Sequence, residues 1–216
     1  MSRAKWFILG IVAAIGLYML GNIQAPEPPM TPGQKKVATV AAIASDYHRT
    51  HTYSHADLFV CVDMAIDLWN QLQTKGINAE IKAGSIGKSL NLLKDDPVGF
   101  IRELDHVWIL FEVDQKKFLP LETTGGFIVF SDDRNFDKYF TGFSFDNPRQ
   151  FKRFMDARDR AFRVCSQAEK LVSHFNSNYA GRRVSQTALE AKGMVEFKEA
   201  ECKYAMEELV DSIVRR

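Results

Sequence analysis

One stretch of the chain restricts the fold more than any other. It is an amphipathic run that opens at a cysteine and closes at a glycine, followed by two strand-like segments joined by a polar turn. Phe59-Val60-Cys61-Val62-Asp63-Met64-Ala65 leads into Ile66, Leu68, Trp69 and Leu72, apolar positions at helical spacing, and Gly76 stands where a helix takes its C′ residue. The spacing predicts a helix with Cys61 in its first turn. Asn78 to Lys82 then reads as a short strand. Gly84-Ser85-Ile86-Gly87-Lys88 lacks the full spacing of a phosphate-binding loop and reads as a turn. Further on, His106 to Val113 is rich in Val, Ile, Trp and Phe, Asp114 to Lys117 is a polar turn, and Phe118 to Leu121 returns as a second strand. A helix packed on an antiparallel hairpin makes the core an α+β arrangement.

Cys61, His106 and Glu122 occur in the order of a thiol catalytic triad. Unpaired backbone N–H groups and the positive end of the macrodipole at a first turn favour thiolate over thiol. The bland alternative is that Cys61 is a small buried hydrophobe, as most lone cysteines in apolar surroundings are. A thiolate nucleophile needs an imidazole to share its proton, and the imidazole needs an acceptor that fixes its tautomer. His106 and Glu122 fit those roles only if they share a face of the hairpin. Were Val113 to pair with Phe118, Glu122 would lie opposite Ile109, on the wrong face. An odd-numbered loop or a bulge between Val113 and Phe118 moves Glu122 opposite Trp108 and onto the face of His106, so one or the other is expected.

The segment FVCVDMAIDLWNQLQTKGINAEIKAG, followed by LDHVWILFEVDQKKFLPLETTGG, resembles the core of the transglutaminase-like superfamily, relatives of papain-type cysteine peptidases. The resemblance covers roughly residues 50 to 130. Cys61 matches the helix-opening cysteine, His106 in His106-Val107-Trp108-Ile109 the strand histidine, and Glu122 in Pro120-Leu121-Glu122-Thr123-Thr124 the acid. Two positions depart from the family pattern: Glu122 stands where Asp is commoner, and Val60 precedes the cysteine where many members carry Gly. The resemblance implies a papain-like core, no cofactor and no metal, and acyl transfer through a Cys61 thioester on a protein or peptide substrate. The enzyme would be a cysteine peptidase, an amidase or a transglutaminase. An oxyanion would take one donor from the Cys61 backbone N–H and another from an upstream side chain, with Tyr53 and His55 the nearest candidates. The rival from another class is an inactive binding or scaffold module that keeps this fold.

Flanking segments suggest where such a core would work. After Ser2, Arg3 and Lys5, the uncharged run Trp6 to Gly21 is about 16 residues long, against the roughly 20 of a spanning helix, and Asn22 and Ile23 extend it. Residues 1–23 are expected to be an uncleaved single-pass membrane anchor, with the N-terminus cytoplasmic and the core outside; the competing expectation is a signal peptide whose removal gives a secreted protein. Residues 24–31 carry Ala25-Pro26-Glu27-Pro28-Pro29 and read as a semi-rigid linker. Val37, Val40, Ala41, Ile43 and Ala44 then predict a helix from Gly33 to about Arg49, with Thr31 as cap and Pro32 in its first turn. The core would span 32–147.

Beyond the Gly125-Gly126 turn, Phe127 to Phe130 reads as a strand, and Ser131 to Asn147 as a loop region carrying Phe136, Tyr139, Phe140, Phe143 and Phe145. Those aromatics could line a substrate cleft, but more often such a set covers a core. Residues 148–216 suggest an antiparallel helical hairpin that a protein partner could use. Its first helix shows the stripe Phe151, Phe154, Phe162, Cys165, Leu171, Val172 and Phe175; a break follows around Asn176 to Arg183; its second helix carries Leu189, Met194, Phe197, Met206, Leu209 and Ile213. Cys165 and Cys202 are nearly equidistant from that break. They could form a disulfide that leaves Cys61 as the odd thiol, or stay as unpaired core residues. His48, His51 and His55 with Asp57 are a weak match to metal-ligand spacing. A net charge of +1 points away from nucleic acid and other polyanions.

Overall fold

Trp108, on the strand that carries His106, has no exposed surface, and the molecule is layered around that strand. The computed structural model describes residues 28–52, 54, 60–87, 97–179, 181 and 185–214. The expected anchor at 1–23, the first half of the linker, and Tyr53, His55 and Asp57 lie outside the described residues. None of the described helices is long and apolar enough to cross a membrane. Two N-terminal helices, α1 (Pro32–Thr50) and α2 (Cys61–Thr74), are followed by β1 (Ala79–Gly84), a short α3 (Pro97–Arg102), β2 (His106–Asp114), β3 (Lys117–Glu122) and β4 (Phe127–Ile128). A 3-10 turn (Phe136–Phe140), β5 (Phe143–Phe145), α4 (Pro148–Tyr179) and α5 (Gln186–Val214) complete the order. The strands form one antiparallel sheet in the order β4-β3-β2-β1-β5. The architecture is α+β, with N-terminal helices packed on a five-strand sheet and a C-terminal helical hairpin, and the described residues from Gly33 onward make one compact unit.

Alternation along β2 divides the interior in two. Val107, Ile109 and Phe111 face the main core, where Met64, Ala65, Leu68 and Leu72 of α2 and Val40, Ala44 and Tyr47 of α1 pack. Each fully buried leucine there contributes about 1.5–3 kcal/mol. Trp108 and Leu110 face the other side, under Tyr139 and Val129. The Tyr47 hydroxyl donates to Asp67 Oδ2 over 2.9 Å and ties α1 to α2. Gly76, at φ +67, ends α2 in the left-handed region that a glycine occupies at least cost.

The sequence did not announce α3 or β5. β5 has three residues inside an aromatic stretch and becomes a strand only because the free edge of β1 offers hydrogen bonds, pairing Ile81 with Phe145 and Ala83 with Phe143. The strand expected over Phe127 to Phe130 shortens to two residues. The first helix of the hairpin continues to Tyr179, past the expected break at Asn176.

Cys165 and Cys202 are joined by a disulfide, with their Cα atoms 4.7 Å apart, so α4 and α5 are cross-linked and Cys61 is the free cysteine. That bond, with Ala205 and Leu209 buried beside it, sets the rotation of α5. Cys202 and Leu209 are seven residues apart and share a face, whereas Phe197, five residues back, points about 140° away. Phe197 is accordingly 60% exposed, and Leu189 and Met194, two more of the apolar residues read on this helix, are exposed with it. Opening the 37-residue loop by Cys202→Ser should cost about 3–4 kcal/mol on the chain-entropy account of cross-links. Urea denaturation with and without reductant measures it.

Candidate functional site

His106 opens β2 opposite Gly84, the last residue of β1. A side chain at position 84 would put its Cβ 2.7 Å from the Trp108 ring and 3.1 Å from the Thr141 carbonyl oxygen, so only glycine lets the strand pass there. On β3, Ile109 pairs with Leu121 and Glu112 with Phe118, while Asp114 pairs with Lys117; the register shifts between Glu112 and Asp114. Val113 is the extra residue. The turn alone would set Val113 against Phe118, and the bulge moves β3 by one place, so Glu122 comes level with Trp108. That is the bulge which side-chain parity required. His106 Nε2 and Glu122 Oε2 lie 2.7 Å apart.

The N-terminus of α2 supplies the thiol. Val60 is extended, at φ −117, and has no side chain able to cap the helix; the Asp63 carboxylate accepts its N–H over 3.0 Å, which holds the chain at the point where Cys61 begins the first turn. Cys61 is half-buried, and its thiol is one of the two neighbours that favour the charged form of the His106 ring. Since Nε2 is engaged by Glu122, Nδ1 is the nitrogen left for the thiol.

Glu122 is 7% exposed and both its oxygens are occupied. Oε2 accepts from His106 and, over 3.1 Å, from the Tyr139 hydroxyl. Oε1 accepts from the Thr124 hydroxyl at 2.7 Å and the Thr124 N–H at 3.3 Å. Burial alone would raise the carboxyl's proton affinity, but the His106 and Thr124 hydrogen bonds outweigh it and hold Glu122 below the ordinary carboxylate value. Burial likewise opposes a charged His106. The Cys61 thiol and the hydrogen-bonded Glu122 carboxylate together overcome that penalty and raise the ring from 6.5 to about 10. Tyr139 is pushed above its usual range by burial first and by the Glu122 charge next.

Of the residues singled out from sequence, Cys61, His106 and Glu122 come together, while Tyr53 and His55 lie outside the described residues. Tyr139 and Thr124 are parts of the cluster that sequence reasoning missed. Thr124 stood beside Glu122 without a role, and Tyr139 was one aromatic among five, with only its hydroxyl to distinguish it. The other aromatics divide, with Phe143 and Phe145 in the main core and Phe140 40% exposed. His51 stacks on Tyr47 at 4.0 Å, its Nδ1 within reach of the Tyr47 carbonyl and the Thr50 hydroxyl. Among the described residues, no group of three His, Cys, Asp or Glu side chains could hold a metal ion.

The His106–Glu122 pair ties stability to pH in a definite direction. The value for folded His106 exceeds that of an unfolded histidine, so its contribution is complete below about 6.5 and is lost as pH rises through about 10. Glu122 is lowered from 4.5, so its contribution is present above that value and is lost as pH falls through the folded one. Urea denaturation across this range should show the wild type more stable than a His106→Gln/Glu122→Gln variant by about 1–3 kcal/mol between pH 5 and 6. The two curves should converge toward either extreme.

No family model, no curated protein and no solved structure matches this chain.

Proposed function

We propose that this protein is a thiol acyl-transfer enzyme that acts on protein or peptide amides through a Cys61 thioester, on a papain-like, transglutaminase-like core. The observation that carries the proposal is the His106–Glu122 pair at 2.7 Å, with the Cys61 thiol at a helix N-terminus acting on the same ring and the carboxylate held in the charged form. Cys61 Sγ attacks the amide carbonyl carbon, a C–S bond forms, and the carbonyl electron pair moves onto oxygen, where the Cys61 backbone N–H donates to it. When the oxyanion collapses, the C–N bond breaks and His106 gives its proton to the departing amine. Glu122 keeps the ring oriented and favours its charged form. Water attacking the thioester completes a peptidase or amidase cycle; an amine attacking it completes a transamidation. No cofactor enters either half.

The disulfide supports a place on the oxidising side of a membrane, with the basic N-terminus inside and residues 1–23 as anchor, or secretion after their removal. A second reading, a binding module without turnover, draws on a specific observation. Leu189, Met194, Phe197 and Tyr204 leave an exposed apolar face on α5, which suits a protein partner.

Alkylation of Cys61 by iodoacetamide separates the two. An unassisted thiol titrates near 8.5, so at pH 6 it is almost wholly protonated. His106→Ala should therefore slow alkylation at pH 6 by about 10²-fold if the ring and the thiol share a proton. A Cys61 indifferent to His106 would favour the binding module. Amide turnover should fall as pH rises through about 10, where His106 loses the proton owed to the leaving amine, while alkylation stays fast.

A further inference from the structure

A glutamate has three side-chain torsions to settle before its carboxylate faces a ring, and fixing them costs entropy unless other contacts have already done so. In this site the contacts come from both sides of the carboxylate. Thr124, two residues along the chain, holds Oε1, and Tyr139, from the 3-10 turn, reaches the same Oε2 that meets His106. Tyr139 is itself fixed. Its carbonyl accepts from Trp108 Nε1 over 2.9 Å, its ring meets Trp108 edge-to-face at 5.5 Å, and it is 8% exposed. Trp108 also lies against the His106 ring, with centroids 5.7 Å apart and planes 25° apart. One indole thus sets the position of both the histidine and the tyrosine that converge on Glu122.

We propose that Tyr139 is the positioning residue of this site, its hydroxyl holding Glu122 ionised and turned toward His106. What that means for catalysis rests on the acyl-transfer reading; what it means for Glu122 does not. The groups facing the carboxylate are His106 on β2, Thr124 in the β3–β4 turn and Tyr139. Asp133, in the turn before Phe136, adds its charge at the tyrosine, and Cys61 of α2 adds its own at His106. Tyr139 already donates, and burial together with the neighbouring negative charge opposes its ionisation, so the hydroxyl keeps its proton where Glu122 and His106 titrate. A hydrogen bond to a charged acceptor alters an equilibrium by about tenfold or more.

The test is Tyr139→Phe in the full chain, which retains the ring and its packing on Trp108 and removes the hydroxyl alone. Two readouts are needed: the Glu122 carboxyl titration by carbon-13 NMR, assigned with Glu122→Gln, and the pH profile of Cys61 alkylation. Tyr139→Phe should make Glu122 about tenfold easier to protonate, and should move the acid limb of the alkylation profile to higher pH. In a Glu122→Gln background the same substitution should leave the profile as it was. An unchanged Glu122 titration at unchanged melting temperature, or an equal effect of Tyr139→Phe with and without Glu122, overturns the inference. Tyr139→Leu removes the ring as well as the hydroxyl, so the difference in melting temperature between it and Tyr139→Phe gives the loss of packing alone. The two proposals fail separately. A shifted Glu122 titration beside an alkylation rate indifferent to His106→Ala rejects acyl transfer and retains the positioning role; the opposite pair of results rejects Tyr139 alone.

Discussion

The one-residue bulge at Val113 decides whether His106 and Glu122 meet at all. A β-hairpin alternates its side chains with a period of two, so the face on which Glu122 emerges depends on a single step of register. The turn at Gln115 and Lys116, the latter at φ 57, would by itself set Glu122 opposite Ile109 and into the main core among leucines. An unpaired carboxylate there would cost several kcal/mol. With the bulge, Leu121 takes the core position and Glu122 crosses to the face of His106 and Trp108. Hydrophobic burial of Leu121 and ion pairing of Glu122 therefore favour the same register.

The cluster on the second face is a small polar network inside an apolar shell. Each of its members is satisfied: Trp108 donates to the Tyr139 carbonyl, Thr123 to the Val107 carbonyl, Tyr139 and Thr124 to Glu122, and Glu122 faces His106. Networks of this kind are costly when partly satisfied and rigid when complete. The shell also limits solvent near the pair, which strengthens its electrostatics and lets a half-buried histidine remain charged against the burial penalty.

The hairpin extension is stabilised differently. Phe151 and Phe154 at the start of α4 pack on Phe143 and Phe145 of β5, whereas the buried residues further along the hairpin are mostly small, Ala161, Cys165, Ala168 and Ala205 with Leu209, and the disulfide joins α4 to α5 directly. An interface of small residues brings the helices close but leaves the larger apolar residues of α5 on the outside. Spacing alone therefore does not place Leu189, Met194 and Phe197: both sides of α5 are apolar, and periodicity does not say which one meets α4.

Local chemistry was legible in the chain. The helix opening at Cys61, its stop at Gly76, the hairpin over His106 to Glu122 and the parity condition requiring a bulge all follow from short-range patterns. They hold because helix and strand periods, glycine conformation and turn composition are properties of neighbouring residues. The α+β class follows as well. Contacts between distant segments were not legible. β5 is a strand only because β1 has a free edge, Tyr139 reaches Glu122 across 17 positions, and α5 takes its rotation from a cross-link to a residue 37 positions away. Sequence alone singled out Cys61, His106 and Glu122 and determined the strand register that brings the last two onto one face. Only the tertiary structure decided which side chains surround the carboxylate and which face of the last helix is left open, because those depend on packing between segments that no local period records.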